Sequence, residues 1–269
     1  MGKRKSPTHR SHASLRWLLD DNPKAAYWNG FIAADGCLSG NRLKIATHVR
    51  DAAHLERFAR WIGYGHVTIY DRASPPVASY AVQDRITVPV LRAKMDLRPR
   101  KTENPPRRLP YLDNDLLRSW LVGYVDGDGY IRKQTGRKVA ALSTVAHLSW
   151  EPFLTELSEV LEFGYVNHRG GGAESGSAGE YVALNNYRHD ELVELKYFAI
   201  DHDLPFLPRK WDRIDTSVVA DKYALAERRR IHIEQLIADG YRTGDIARIV
   251  GCSPPLVSEA RRRIRERNH

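Results

Sequence analysis

The most regular pattern in this chain is an alternation of apolar and basic side chains between residues 42 and 50. Alternate side chains of a strand point to opposite faces, so the pattern predicts a strand with one buried and one basic face. The apolar face holds Leu43, Ile45 and Val49, and the basic face holds Arg42, Lys44, His48 and Arg50. Four basic or imidazole side chains on one face favour contact with nucleic acid over an ordinary solvated surface.

Helix signals precede this strand. Asn22 is a good N-cap, Pro23 suits the first helical position and Gly36 suits the position after a helix, so a helix is predicted from Pro23 to Asp35. Beyond the strand, the periodicity predicts helices near residues 51–61 and 87–95 and a hairpin of strands near 66–70 and 79–83.

Three landmarks recur in the same order, which indicates a diverged internal repeat. The pairs are Asp35-Gly36 with Asp128-Gly129, Gly65-His66-Val67 with Gly164-Tyr165-Val166, and Pro99-Arg100-Lys101 with Pro208-Arg209-Lys210. The offsets are 128 − 35 = 93, 164 − 65 = 99 and 208 − 99 = 109 residues, and a Gly/Ser-rich stretch at 170–179 accounts for much of the drift. Each copy predicts helix, two strands, helix, two strands and helix, with second-copy elements near 150–161, 165–169, 181–185 and 189–199.

Residues 218–269 differ in character, with 11 Lys and Arg against 7 Asp and Glu, a net charge of 11 − 7 = +4. Three helices are predicted, the first ending near Asp239, the second covering 243–250 and the third covering 254–265. The arrangement resembles a helix-turn-helix of the resolvase or sigma-factor type, whose last helix enters the major groove. The predicted contact positions are Ser253, Pro255, Ser258, Glu259 and Arg262.

These features divide the chain into a basic N-terminal arm (1–22), two repeats (23–110 and 111–217) and a C-terminal helix-turn-helix domain (218–269). The formal net charge of +9 attracts polyanions, nucleic acid above all. Two distant cysteines exclude a disulfide scaffold and a Cys-rich zinc site. No long apolar run or signal peptide is found, so we expect a cytoplasmic protein, nucleoid-associated if bacterial, with no membrane contact and no required protein partner.

The two Asp-Gly helices share a stripe of small residues spaced by four. The stripes are Ala26, Gly30 and Ala34 in the first helix and Ser119, Gly123 and Gly127 in the second. Such stripes let two helix backbones approach closely. In a parallel pair, Asp35 and Asp128 would meet at helix C-termini, where they repel each other and the helix dipoles. Mg²⁺ suits such a pair, because it is held by one or two carboxylates together with substrate phosphate, as in metal-assisted phosphodiester hydrolysis.

The segments 28–36 and 121–129 resemble the two signature motifs of LAGLIDADG homing endonucleases. The second ends Val125-Asp126-Gly127-Asp128-Gly129, whereas in the first Ala33 stands where the family often has an Asp. The Asp-Gly ending is intact in both. The αββαββ repeat closed by Pro-Arg-Lys is also similar to this family, over roughly residues 23–214.

The resemblance implies an α+β fold, in which two pseudo-symmetric αββαββ repeats form a saddle over DNA beside a small all-α helix-turn-helix domain. It implies that a monomer cleaves both strands of a long asymmetric double-stranded target and leaves 3′ overhangs. Asp35 and Asp128 would be the catalytic acids and, with Gly36 and Gly129, would bind two or three Mg²⁺ or Mn²⁺ ions. The family often places Lys or Gln on strand ends near the metals, which makes Gln83 and Asn185 candidates.

Further side chains of the two repeats are predicted to contact DNA. Besides the basic face of the first strand, they are Tyr70, Arg72, Arg132, Lys133, Arg169, Lys101 and Lys210. For Lys101 and Lys210, support of the active site and a plain surface position are the alternatives.

Two other functions fit the same modules. One is a non-cleaving transcriptional regulator with this fold and a helix-turn-helix, and the other is an RNA-splicing maturase. The presence of both Asp35 and Asp128 favours the nuclease, because a regulator has no use for two clustered carboxylates.

Overall fold

Two copies of one order of elements fill the first of the two units into which the chain divides, Met1–Ile214 and Asp215–His269. The computed structural model describes residues 15–133, 139–169, 181–217, 230–250 and 254–267. Residues 1–14 of the predicted N-terminal arm lie outside the described residues, and so does Ser253.

The first copy consists of α1 (Pro23–Asp35), β1 (Gly36–Ser39), β2 (Arg42–His48), α2 (Ala52–Ile62), β3 (Val67–Tyr70), β4 (Val77–Gln83) and α3 (Thr87–Lys94). The second consists of α4 (Asn114–Asp128), β5 (Gly129–Lys133), β6 (Ala140–His147), α5 (Glu151–Leu161), β7 (Tyr165–Arg169), β8 (Tyr181–Asn186), α6 (His189–Asp201) and α7 (Pro208–Trp211). Each copy forms one antiparallel four-stranded sheet, in the orders β1-β2-β4-β3 and β5-β6-β8-β7. The predicted α+β class and the repeated order of elements are confirmed.

The predicted start of the first helix is also confirmed. The side chain of Asn22 accepts a hydrogen bond from the backbone N–H of Ala25 at 2.9 Å, with Pro23 at the first helical position. This bond satisfies one of the N–H groups that a helix start leaves without an internal partner.

Strand β2 alternates as predicted, with Leu43 and Ile45 buried and Arg42 and Lys44 exposed. The prediction that this strand continues to Arg50 is wrong, because it ends at His48 and residues 49–51 form a 3-10 turn. The physical reason is local: Nδ1 of His48 accepts the backbone N–H of Arg50 at 3.1 Å, which turns the chain out of the sheet.

The two Asp-Gly helices, α1 and α4, pack with their backbones in contact. A Cβ atom on Gly30 would lie 1.9 Å from the carbonyl oxygen of Trp120, and one on Gly123 would lie 1.9 Å from that of Tyr27. Farther along, a Cβ on Gly127 would lie 2.3 Å from the Cβ of Ala34. The contacting residues move towards the C-terminus in both helices together, so the two helices run parallel. Their Asp-Gly ends therefore meet, as the small-residue stripes predict.

The second unit contains three described helical segments: residues 230–238 (α8), α9 (Thr243–Val250) and α10 (Pro254–Arg267). Gly240 makes the turn after α8 with a φ of 82°, a conformation that favours glycine. The core of this unit is formed by Ile233, Leu236, Ile246, Ala247 and Val257. The helix bounds agree with the predicted ones, except that α10 extends two residues further; its role in DNA binding stays a prediction.

Nowhere in the described ranges is a helix both long and apolar enough to span a bilayer.

Replacing Gly123 by Ala should lower the free energy of unfolding of the first unit by about 3 kcal/mol, because the new methyl group overlaps a backbone carbonyl that cannot move aside. The matched control is Gly244→Ala in α9, where an added Cβ meets nothing within 4 Å. Chemical denaturation of both variants measures the difference. Equal stability of Gly123→Ala and the parent would show that the two helices are not in backbone contact.

Candidate active site

Asp35 and Asp128 are the last residues of α1 and α4 and lie close together in the structure. Burial and the negative charge of Asp128 raise the pKa of Asp35 from 3.8 to about 7. Burial raises the pKa of Asp128 as well, although part of its surface stays open to solvent. Among the residues that the structure describes, none hydrogen-bonds or ion-pairs with either carboxylate. The arrangement therefore brings two acidic groups together without a direct partner for their charge.

The lysines that close the two repeats hold the ends of these helices. Lys101 Nζ donates to the carbonyl oxygens of Ala33 at 2.6 Å and of Ala34 in α1. Lys210 Nζ occupies the equivalent place on α4, where it donates to Val125 at 2.8 Å and Asp126 at 2.6 Å. Helix C-termini leave such carbonyl groups without helical partners and carry partial negative charge. Each lysine therefore caps the helix of its own repeat.

Both ammonium groups are thus committed to the protein backbone. Lys210 is buried, and burial lowers its pKa to about 8; burial also lowers the pKa of Lys101. Of the interpretations left open by the sequence, this geometry favours support of the active site over direct contact with DNA for both residues.

Asp126, the additional acid of the second motif, belongs to the packing rather than to the open site. Its carboxylate accepts hydrogen bonds from Tyr27 Oη at 2.6 Å, the Leu207 backbone N–H at 2.9 Å and Trp211 Nε1 at 2.8 Å. Burial raises the pKa of Asp126 to about 6 in spite of these bonds. Through Leu207 and Trp211, Asp126 holds the segment that carries Lys210 against the end of α4.

Two pockets flank the helix pair. The first, beside Asp35, is lined by Phe31, Asp35, Ala46, Thr47, His48, Arg50, Asp51, Val77, Asp126, Gly127 and Arg209. The second, beside Asp128, is lined by Ala33, Ala34, Lys101, Thr102, Tyr124, Asp128, Val145, Ala146, His147, Trp150 and Tyr181. Each pocket thus combines the carboxylate that ends one of the two helices with the end of the second strand of one sheet, β2 or β6, and the first pocket also contains Asp51 and Asp126.

A histidine ends each of these strands, His48 in β2 and His147 in β6. In both, Nδ1 accepts a backbone N–H two residues later, from Arg50 at 3.1 Å and from Ser149 at 3.2 Å. An accepting Nδ1 carries no proton, so the neutral ring has its proton on Nε2. His48 is predicted from sequence as a DNA contact, whereas His147 is missed. Its signal is the offset 147 − 48 = 99, the same as that of the second repeat landmark.

The segment after each histidine docks on the closing segment of the other repeat. Arg209 forms a two-pronged ion pair with Asp51, with Nε–Oδ1 and Nη2–Oδ2 distances of 2.6 and 2.5 Å. In the opposite direction, Trp150 Nε1 donates to the backbone carbonyl of Lys101 at 3.0 Å. The two pockets are therefore closed by different chemistry at equivalent positions.

Gln83 and Asn185, predicted as residues near the metals, do not line either pocket. Gly36 pairs with Ile45 on the neighbouring strand, and Ile45 pairs with Tyr80 on the next. Tyr80 is therefore level with Gly36, and Gln83 lies three residues beyond Tyr80. Asn185 is one residue past the position level with Gly129 and is buried, with Nδ2 donating to Asn167 Oδ1 at 2.6 Å. The two are not equivalent in register, because spacing along the sequence does not fix strand pairing. The structure therefore does not bring Gln83 or Asn185 to either of these two pockets, and a role near the metals stays a prediction.

Of the other predicted DNA contacts whose side chains are described, Glu259 is half-buried and ion-paired with Arg262 at 2.8 Å, and the rest are exposed. In the first unit they are Arg42, Lys44, His48, Arg50, Tyr70, Arg72, Arg132 and Lys133, and in the second Pro255, Ser258 and Arg262. Arg169 ends β7, and its side chain lies outside the described part of the chain. Their contact with DNA stays a prediction.

The donor set suits a hard divalent cation. No group of three His, Cys, Asp or Glu side chains converges on one point within the described ranges, so two carboxylates would be the acidic ligands. Mg²⁺ accepts such a site because it keeps several waters and takes further oxygen ligands from substrate. The Gly36 and Gly129 carbonyls as ligands stay a prediction, and for Gly129 the cation would compete with Lys210 Nζ, which donates to that oxygen at 2.7 Å.

No family model and no curated protein matches this sequence. Among solved structures, the chain is similar to the LAGLIDADG homing endonuclease I-LtrWI bound to target DNA, with 13% identity, coverage of 78% of this chain and 91% of that one, and a TM-score of 0.49. It is also similar to the LAGLIDADG meganuclease I-AabMI bound to uncleaved DNA, with 15% identity, 76% and 91% coverage and a TM-score of 0.48. A third similar structure is the LAGLIDADG homing endonuclease I-GzeII in complex with its DNA target. Its identity is 16%, the match covers 77% of this chain and 92% of that one, and the TM-score is 0.48. Because the TM-scores are below 0.5, the function has to be argued from the site of this chain itself.

The raised pKa of Asp35 makes the stability of the metal-free protein depend on pH. Between about pH 4 and 7 the folded protein keeps a proton that the unfolded chain has released, so stability falls as pH rises through this range. Asp35→Asn should therefore raise the free energy of unfolding at pH 8 by roughly 2 kcal/mol, less than the full shift implies because the carboxyl is partly solvated.

Denaturation of metal-free protein at pH 5 and pH 8 measures this effect, with Asp71→Asn in an exposed loop as the control. A parent whose stability does not fall between the two pH values, or an Asp35→Asn variant that falls as steeply, would contradict the electrostatic account of the site.

Proposed function

We propose that this protein is a site-specific DNA endonuclease that hydrolyses phosphodiester bonds in both strands of a long asymmetric target with the help of Mg²⁺ or Mn²⁺. The observation that carries the proposal is the meeting of Asp35 and Asp128 at the ends of two helices in backbone contact. Placing two partly buried carboxylates together without a direct counter-ion is unfavourable. A fold that retains this unfavourable arrangement is best explained by a function that requires the two carboxylates to lie together.

Asp35 and Asp128 would hold the divalent cations. When bound there, such ions make water more acidic and stabilise the charge that builds on a phosphate. Lys101 and Lys210 keep the two helix ends, and thereby the carboxylates, in register. His48 and His147 offer an Nε2–H donor that can orient a water molecule or a phosphate oxygen in each pocket.

The chemistry requires no covalent intermediate on the protein. Water adds to phosphorus, one P–O ester bond breaks and the leaving oxygen takes up a proton. Each cut then yields one hydroxyl end and one phosphate end. Two pockets, each with one of the two carboxylates that end α1 and α4, fit two such cuts, one in each strand.

Binding would be shared between the two units. The exposed basic face of β2 and the exposed Arg132 and Lys133 of β5 supply phosphate and base contacts for the two halves of the target. In α10, Pro255, Ser258 and Arg262 are spaced by three and four residues, so they share one exposed face, whereas Val257 is buried. This face is suited to the major groove and would add affinity and site length rather than chemistry.

A non-cleaving regulator would use the same binding surfaces, and the experiment must separate the two functions. A randomised double-stranded DNA library incubated with the protein and Mg²⁺, followed by sequencing of the new ends, identifies the cleaved target directly. Binding selection on the same library in Ca²⁺ serves as the parallel measurement. Tight selection of one duplex that is never cut in Mg²⁺ would replace the endonuclease with the regulator.

Asp35→Asn and Asp128→Asn should each reduce cleavage of the selected target by about 10³-fold or more, because an ionic ligand is lost while the shape is kept. Binding in Ca²⁺ should hold or tighten, since a negative charge facing phosphate is removed. Asp115→Asn at the opposite end of α4 is the matched control. Cleavage by both site variants at the parent rate would refute the mechanism.

Arg262→Gln in α10 should weaken DNA binding and reduce the slope of log K against log salt concentration by about one, because one phosphate contact is lost. The rate of cleavage at saturating protein should not change. Arg60→Gln on the exposed side of α2 removes an equal charge and should leave the salt slope unaltered. An unchanged slope for Arg262→Gln would remove α10 from the DNA-binding surface.

A further inference from the structure

The exposed face of the second sheet carries a depression between two tyrosine rings, those of Tyr130 in β5 and of Tyr187, which directly follows β8. We propose that this depression is a specificity-determining site, which takes up the 5-methyl group of a thymine in one half of the DNA target. The inference rests on the proposed DNA-binding function and names the base that one of the two sheets reads. Neither tyrosine is among the DNA contacts predicted from the sequence.

The lining of the depression is mostly apolar. Its described residues are Tyr130, Arg132, Ala141, Leu142, Ser143 and Tyr187. Arg132 is the one charged side chain among them. Ala141 pairs with Arg132 and Ser143 pairs with Tyr130, so two small side chains lie between larger ones on the same face. A bound phosphate needs several cationic or N–H donors, whereas an alkyl group gains from contact with aromatic rings and small side chains. The lining therefore favours an apolar group.

Both tyrosine rings are held in place by residues outside the depression. The guanidinium of Arg213 lies 5.5 Å from the centre of the Tyr130 ring, and its Nη1 donates to the Ile131 carbonyl at 2.7 Å. The ring of Tyr165 in β7 lies 6.0 Å from that of Tyr187. The two walls are nevertheless 56% and 42% exposed, so DNA can reach them. Side chains that are already fixed lose little conformational entropy on binding, which strengthens selection by shape.

Thymine is the base that matches such a lining. The major groove admits a two-stranded ribbon of a sheet, and the 5-methyl group of thymine is the one alkyl group that the four bases present there. Burial of one methyl group contributes about fourfold to affinity. Two tyrosine walls over an alanine can thus distinguish a T·A pair from the other base pairs without a hydrogen bond to the base.

The first sheet has different side chains at the equivalent places. Gly36 and Gly129 begin β1 and β5, and the strand pairing counted from these glycines aligns the two sheets residue by residue. The positions of Tyr130, Ala141, Ser143 and Tyr187 then correspond to Cys37, Arg42, Lys44 and Gln83. Arginine and lysine select guanine and glutamine selects adenine, all through hydrogen bonds. The fold itself therefore does not require tyrosine here, and the two halves of the target are read by different chemistry.

Selection of randomised duplexes in Ca²⁺ with the full-length protein tests the site without depending on cleavage. The parent should select thymine at one position that Tyr187→Ala no longer specifies, while the other selected positions stay the same. Tyr187→Phe keeps the ring and should keep the preference, which separates a contact of the ring from a hydrogen bond of the hydroxyl. Tyr197→Ala, at an exposed tyrosine of α6, is the matched control and should change no position.

The methyl group itself is tested by replacing that thymine with 2′-deoxyuridine, which keeps every hydrogen-bonding group of the base. In titrations at one fixed salt concentration, the parent and Tyr187→Phe should bind this duplex about fourfold more weakly than the thymine duplex, because one buried methyl group is lost. Tyr187→Ala should bind the two duplexes within about twofold of each other, since its depression has lost a wall.

A parent that binds the thymine and deoxyuridine duplexes equally overturns the inference, and so does a Tyr187→Ala variant that keeps every preference of the parent or loses the same factor on removal of the methyl group. These results leave the endonuclease standing. If the parent selects a duplex with this thymine but never cuts it in Mg²⁺, the methyl site is retained and the endonuclease is refuted. A parent that selects no sequence refutes site-specific DNA recognition and the inference with it.

Discussion

The contact between α1 and α4 is the constraint on which the rest of the first unit depends. At Gly30 and Gly123 each backbone occupies the space that a side chain of the other helix would need. The strands β1 and β5 begin at the residues that follow the two helices, Gly36 and Gly129. The helix contact therefore fixes both the distance between the two carboxylates and the points from which the two sheets start.

This geometry has an electrostatic cost that the fold offsets locally. Two helix C-termini and two carboxylates gather negative charge in one place, and the ammonium groups of Lys101 and Lys210 are the nearby compensation. Both lysines come from the ends of their repeats, far along the chain from the helices that they cap. The site is therefore complete only when each repeat has folded through to its closing segment, which couples the acidic pair to the stability of the whole unit.

Most of the fold could be predicted from the sequence, because its signals are local. Asn22 with Pro23 sets the start of α1, and the alternation of Leu43 and Ile45 with basic residues identifies β2. The small-residue stripes likewise predict the helix contact, because only a close approach of the two backbones requires small residues on both helices. For the site, the two aspartates follow from the same stripes.

What could not be predicted depends on register and on long-range contacts. Gln83 and Asn185 were both candidates for strand ends near the metals, but the strand pairing places them at different levels of their sheets, and neither lines one of the two pockets beside Asp35 and Asp128. No local pattern distinguishes the capping role of Lys210 from a surface position, because its partners lie more than 80 residues earlier. His147 was recoverable from its 99-residue offset from His48, once the repeat is aligned by its middle landmark instead of its first.

The two copies have diverged unevenly, and the reason is physical. At the helix contact a side chain on either glycine would collide with the other backbone, so both copies keep glycine there. The hydrogen bonds and ion pairs around that contact are under no such steric requirement. Asp126 is bound by Tyr27 of the other copy, while Ala33 occupies the equivalent position without any polar group. Arg209 and Asp51 hold one side by an ion pair, and Trp150 and the Lys101 carbonyl hold the other by a hydrogen bond. Any hydrogen bond or ion pair that satisfies its own buried polar atoms can close a pocket. A single chain can therefore line its two pockets differently while the two carboxylates stay together.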